Sequence, residues 1–211
     1  MDAIDVQRLD RLPRRARLAL VCTCIEHVMD LYRWGIYAYP MDKAPAELRR
    51  LANEDDGIKE ALKLGWDLAR DGRADDRYFE AIVDFICEYP PGLDPEDWDE
   101  LTAAAWVMSA CRHMLNTQTD ATPKSVATAT DCCWYAIYDA AKAIPEIMRA
   151  GNVQATALGF CSPEQQWQLT ALDRVEQLGD QSFRRDMFAD LLAVALPWRE
   201  LLPQYRAVHG K

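Results

Sequence analysis

From Leu101 through Cys111 the chain carries no charged residue, and the same stretch extends to Met114. With 27% of the 211 residues charged, a helix here without a polar face is most simply accommodated when other helices surround it. The stretch Leu101–Met114 is therefore expected to be the central post of a helical domain. Asp94, Pro95 and Asp97 precede it as N-cap, first-turn proline and acidic third position, the strongest helix start in the chain.

Around this post the apolar periodicity is helical almost throughout. Leu18, Val21, Cys24, Ile25, Val28, Met29 and Tyr32 recur at intervals of three and four, so one helix is expected to run to about Trp34 before Gly35 and Pro40 stop it. Its other face carries Thr23, Glu26, His27, Asp30 and Arg33, which reads as a face turned to solvent or to a partner. A short helix is expected over about 44–52, another from the acidic knot at 53–57 to Asp71-Gly72, and another over about 75–88. Thr122-Pro123 starts a second largely apolar helix that Pro145 ends, and its short connection to the first predicts an antiparallel hairpin of 101–115 and 122–145.

Residues 150–161 are uncharged and aperiodic, which reads as a surface loop, and Ser162-Pro163-Glu164-Gln165 matches a capping box opening the next helix. A last helix pair is expected over about 182–196 and 197–208. No segment alternates as a strand. The expected fold is all-α, a single domain of about eight helices over 1–211, with 180–211 separable as a C-terminal helical appendage.

Composition bounds the function. A formal net charge of −10 disfavours binding to nucleic acid or to anionic membrane, both of which require neutralising phosphates. The start of the chain lacks the basic region and apolar core of a signal peptide, and no run reaches the length of a membrane span. Seven cysteines, an odd number, sit largely on apolar faces as reduced core residues do, so the cytoplasm is the expected compartment.

Catalytic and ligand signatures fail on spacing. Cys22 and Cys24, and the adjacent Cys132 and Cys133, cannot converge on one zinc ion, and no Cys-x-x-Cys exists. The glycines never cluster ahead of a helix as a phosphate loop needs, and no Gly-x-Ser-x-Gly or His-Glu-x-x-His occurs. His27 and Asp30 share a helix face at i, i+3, and His113 completes a conceivable metal or catalytic set; an exposed polar face and a helix C-terminus explain the same residues without one. The seven tryptophans are enough for a ligand cage but lie where core anchors belong. No cofactor, metal or catalytic residue is therefore expected.

The acidic helix starts remain. Glu54, Asp55 and Asp56, then Asp75 and Asp76, then Asp94, Glu96, Asp97, Asp99 and Glu100 with Trp98 among them, are expected to lie on one edge of the bundle as a negative surface with an aromatic anchor, the chemistry that steers a basic partner and then holds it.

Three stretches resemble a group of small helical bacterial proteins that includes predicted immunity proteins of polymorphic toxin systems. Leu20-Val-Cys-Thr-Cys-Ile-Glu-His-Val-Met-Asp-Leu-Tyr32 is similar to an early helix of the form C-A-E-H/R-V-L-x-x-F/Y. Ile58-Lys-Glu-Ala-Leu-Lys-Leu-Gly-Trp-Asp-Leu-Ala-Arg-Asp-Gly72 is similar to A-x-x-x-A-R-x-W-x-x-G, although it lacks the arginine before the tryptophan. Ser162-Pro-Glu-Gln-Gln-Trp-Gln168 is similar to the E-x-x-W-Q that opens a later helix. The resemblance implies a stoichiometric, non-catalytic inhibitor of a toxin, here a basic toxin domain, and assigns no binding residue. A helical regulatory or scaffold protein with another protein partner is the alternative, and an enzyme acting through His27, Asp30 and His113 the third reading. Homo-oligomerisation is left open.

Overall fold

The computed structural model describes residues 4–38, 56–73, 98–115, 121–149 and 151–204, and all regular structure in them is helical. The principal elements are α1 (Val6–Asp10), α2 (Arg14–Ala38), α3 (Asp56–Asp71), α4 (Trp98–Leu115), α5 (Pro123–Lys142), α6 (Pro145–Arg149) and α7 (Val153–Leu178). The chain then winds through a 3₁₀ turn at Arg185–Phe188, the single turn α8 (Ala189–Leu192) and a second 3₁₀ turn at Pro197–Glu200. The helices expected over 44–52 and 75–88 lie outside the described residues.

The α4–α5 hairpin forms as anticipated and is the most extensively packed pair. Its antiparallel sense follows from the contacts: Ser125 Oγ donates to the His113 carbonyl, Cys132 Sγ faces Ser109 Oγ, and Trp106 Nε1 donates to Asp139 at 2.7 Å, so later residues of α5 meet earlier ones of α4. Thr122 caps α5 by accepting from Ser125 N at 3.2 Å, with Pro123 in the first turn.

The post of the bundle, however, is α2 rather than α4. Every residue from Leu18 to Ile25 is buried, and the helix packs on α3, α4, α5 and α7 at once. By contrast, α4 leaves Ala105, Trp106, Ser109, Arg112 and His113 at least partly open on one side. Of the residues read as a face turned to solvent or to a partner, Thr23 and His27 are instead satisfied internally, while Glu26 and Asp30 line a cleft. Thr23 is fully buried and donates to the Ala19 carbonyl at 2.7 Å, and His27 is 1% exposed. A hydroxyl that bonds back one turn needs no solvent.

Close approach of α3 to this post depends on Gly65. A Cβ there would lie 2.6 Å from Cys22 Sγ and 2.8 Å from Met114 Sδ, so only glycine lets α3 reach α2 and α4. Gly72 ends α3 with φ of +76°, donating its N–H to the Leu68 carbonyl. Arg14 and Arg15, at the start of α2, donate to the carbonyls of Gly72 and Asp71, placing cations where the dipole of α3 is negative.

Helix α7 corrects two expectations. Residues 153–161 are helical rather than a loop, and Ser162-Pro163 lies inside a 26-residue helix rather than opening one. Pro163 leaves the Gly159 carbonyl without its backbone donor, but a continuous buried stripe of Ala157, Cys161, Glu164, Gln168, Ala171 and Val175 outweighs that loss. At the C-terminal end the helix expected over about 182–196 is reduced to short turns at 185–188 and 189–192, while the one expected from 197 is helical through the described residues, 3₁₀ over Pro197–Glu200 and α-helical over 201–204; together they bring Phe183, Phe188, Leu191, Trp198 and Leu201 into the common apolar cluster, which also takes in Ile4 and Leu9. No described helix is long and apolar enough to cross a membrane.

Candidate functional site: a charged cleft over a buried His–Glu–Trp network

Glu164 occupies a stripe position of α7 and is fully buried, an arrangement tolerated only when partners surround the carboxyl group. Three donors converge on it. His27 Nδ1 lies 3.0 Å and Trp198 Nε1 3.3 Å from Oε2, while Gln168 Nε2 lies 3.3 Å from Oε1 and also donates to the Thr130 carbonyl. The other ring nitrogen of His27 is 3.3 Å from the Val194 carbonyl. Both ring nitrogens of His27 therefore face acceptors, Glu164 and the Val194 carbonyl, an arrangement that an imidazole carrying a proton at both positions satisfies as a salt bridge to Glu164. The imidazole stacks on Trp167 at 3.8 Å and 10°, and the Trp198 indole stands edge-on to it at 5.6 Å.

This network latches the C-terminal turns onto the bundle. Trp167 Nε1 donates to the Leu191 carbonyl, His27 meets Val194, and Trp198 reaches Glu164, so three bonds tie residues 191–198 to α2 and α7. Ser182 Oγ and Phe183 N donate to the Arg70 and Ala69 carbonyls at the end of α3. The turns are thereby held away from α2 and α3 far enough to leave a cleft of about 860 Å³.

The floor of the cleft is apolar, formed by Met29, Leu62, Trp66, Phe183 and Leu192. Its sides are charged: Glu26, Asp30, Asp67 and Asp186 face Lys59, Lys63, Arg70, Arg184, Arg185 and Arg199. Six cations against four carboxylates line a cleft in a chain of net charge −10, so the acidic surplus lies elsewhere on the molecule. Glu26 is bound from two sides, by Arg185 and by Trp66 Nε1 at 3.2 Å. Arg70 pairs with Asp67 and Asp71, and its hydrogen bonds to Asp71 draw that carboxyl below the usual carboxylate range. Arg199 lies 5.6 Å from the Trp198 ring, with a buried Nε that has no hydrogen-bond partner.

The residues anticipated as a site are distributed differently. His27 is interior, not on a solvent face, and both its nitrogens are engaged; Asp30 is half-buried at the cleft, and His113 sits near the end of α4. Among the described residues no three His, Cys, Asp or Glu side chains group to hold a metal ion. Burial and the neighbouring Arg112 push the pKa of His113 down. Of the acidic edge, Asp56 opens α3 and Trp98, Asp99 and Glu100 form the first turn of α4, at helix starts as expected. Glu54, Asp55, Asp75, Asp76, Asp94, Glu96 and Asp97 lie outside the described residues.

Six cysteines, at 22, 24, 111, 132, 133 and 161, are free and buried. Desolvation raises the pKa of each thiol, Cys111 and Cys161 to about 12, which keeps them protonated and poor nucleophiles at neutral pH. These described thiols lie beneath the surface, while the cleft presents paired charge over an apolar floor, a combination that recognition uses.

From sequence, Glu164 and Gln168 stand out only as parts of the capping box and of the E-x-x-W-Q stretch and Trp198 only among the tryptophans, and neither these nor Arg185 are read as site residues. A signal for the first two existed: positions 157, 161, 164, 168, 171 and 175 keep helical spacing, so both polar residues fall on the stripe that must be buried. The three motif-like stretches also meet. Glu26 of the first binds Trp66 of the second, and His27 of the first contacts Glu164 and Trp167 of the third. No family model, curated protein or solved structure matches the chain.

Proposed function

We propose that this chain is a non-catalytic immunity protein that binds a cognate bacterial toxin domain in the cytoplasm and neutralises it by occlusion. The observation that carries this reading is that the three stretches resembling immunity proteins contact one another, the first meeting the second through Glu26–Trp66 and the third through His27–Glu164 and His27–Trp167. The network lies inside, so it supports the bundle and the cleft, and partner choice falls to the surface above.

Two surface features serve a basic partner. The acidic edge of Glu54, Asp55 and Asp56 with Asp94, Glu96, Asp97, Asp99 and Glu100 raises the rate of encounter, and Trp98 supplies an aromatic anchor within it. The toxin domain is cationic in this reading, a nuclease being one example, since nucleases must themselves engage phosphates.

The test is co-expression. The toxin domain encoded next to this chain is induced alone and together with it, and colony survival is scored with affinity co-purification. Survival only in the presence of this chain, with a stoichiometric complex recovered, is the expected result. Equal killing with and without it would refute the proposal.

A further inference from the structure

The cleft between α2, α3 and the C-terminal turns has a fixed shape and one charge that the fold does not neutralise. Its volume of about 860 Å³ lies within the roughly 300–1,000 Å³ of small-molecule sites. The bonds that latch Ser182, Phe183 and residues 191–198 to the helices hold one wall, and a hydrogen bond to Glu26 orients the Trp66 indole. Trp66 and Leu192, both half-buried, are the open part of the apolar floor. Most of the lining charge is neutralised within the chain: Arg185 pairs with Glu26, Arg70 with Asp67 and Asp71, Arg184 with Asp186, and Lys63 with Glu60, while Lys59 is engaged as well. Arg199 differs. Its side chain forms no ion pair or hydrogen bond with any described residue, its Nε is buried without a partner, and its guanidinium rests 5.6 Å from the Trp198 ring.

We infer that this cleft binds a small organic acid, a carboxylate on an apolar body, with Arg199 receiving the carboxylate and Trp66 and Leu192 the body. Burial that strips hydration from a guanidinium costs free energy until an anion restores what water supplied. A carboxylate does so well, because the guanidinium charge is delocalised and its planar fork forms two parallel hydrogen bonds to the two carboxylate oxygens. A neutral or cationic ligand would leave Arg199 without a counter-ion, and a bare inorganic anion would leave the floor uncovered. The chain's charge of −10 opposes an anion only weakly, since surface charges are screened beyond about 8 Å at physiological salt, whereas Arg199 lines the cleft itself. The site goes beyond the proposed immunity function and stands or falls without it.

The probe is naphthylacetate, titrated into the full chain while the Trp66 indole N–H resonance, assigned through Trp66→Phe, is followed by NMR. The expected result is a saturable shift, with binding weaker by at least about tenfold for naphthylacetamide, which keeps the body and loses the charge, and for acetate, which keeps the charge and loses the body. Arg199→Gln, checked by circular dichroism and its urea midpoint for an intact fold, removes the preference for the acid over the amide, and Arg199→Lys restores part of it. No saturable shift with naphthylacetate, equal binding of the amide, or an Arg199→Gln variant that binds the acid as tightly as the native chain overturns the site. Should Arg199→Gln not fold, the comparison of acid and amide in the native chain decides alone.

Discussion

Replacing Glu164 by leucine strands the donors that converge on it, and the structure sets the size of the effect. Gln168 keeps the Thr130 carbonyl at 3.2 Å and loses little, but the Trp198 indole N–H loses its acceptor, and His27, 1% exposed, is left without its counter-ion. Removing one member of a buried ion pair costs about 3–5 kcal/mol, a large part of the roughly 5–15 kcal/mol that holds a typical domain folded. At about 2–4 °C per kcal/mol for a chain of this size, the melting midpoint falls by roughly 10 °C. Urea denaturation followed by helical circular dichroism measures the free-energy change.

A double-mutant cycle isolates the pair. His27→Leu alone leaves a buried carboxylate and is expected to cost a comparable amount, while His27→Leu with Glu164→Leu removes both charges. The stranded Trp198 N–H is common to Glu164→Leu and the double variant, and so cancels. The double variant should fall short of the summed single effects by at least about 2 kcal/mol. Additive losses, or a Glu164→Leu cost below about 1 kcal/mol, would refute the assignment of a coupled buried pair.

Three further outcomes follow from the same contacts. Gly65→Ala should destabilise by about 1–3 kcal/mol, read from the urea midpoint, because its methyl would stand 2.6 Å from Cys22 Sγ. The buried thiols have folded pKa values raised above 9.0, about 12 for Cys111 and Cys161, so their contribution is complete below pH 9 and is lost as pH climbs toward those folded values. The loss per thiol is at most about 1.4 kcal/mol for each pH unit in that window. Chemical denaturation at pH 7 and pH 10 measures that slope, and a thiol reagent should leave these six residues unmodified in the native chain. Charge reversal across Asp94, Glu96, Asp97, Asp99 and Glu100 should weaken binding of a basic partner by at least about tenfold at low salt and by much less at about 1 M salt, where the screening length is about 3 Å; calorimetric titration at the two salt concentrations decides it.

Local chemistry was legible residue by residue. Periodicity along α2, α3 and α5 and the Thr122-Pro123 cap each depend on neighbours within a few positions, and these helices form where such signals place them, except that α2 runs through Gly35 to Ala38 instead of stopping at about Trp34. The helical class follows, as does the α4–α5 hairpin. Which polar residues are buried is a different kind of fact. Glu164, Gln168, Thr23 and His27 look like solvent residues one at a time, and their cost of burial vanishes only when residues as far apart as 27, 130, 164 and 198 meet. That pairing accompanies the continuation of α7 through Pro163 and ties residues 191–198 onto the bundle, where the helix expected over 182–196 is reduced to short turns. Long-range satisfaction of buried polar groups is set by where helices cross, and crossing is decided by the whole packed core, so the network and the cleft it supports belong to the tertiary structure alone.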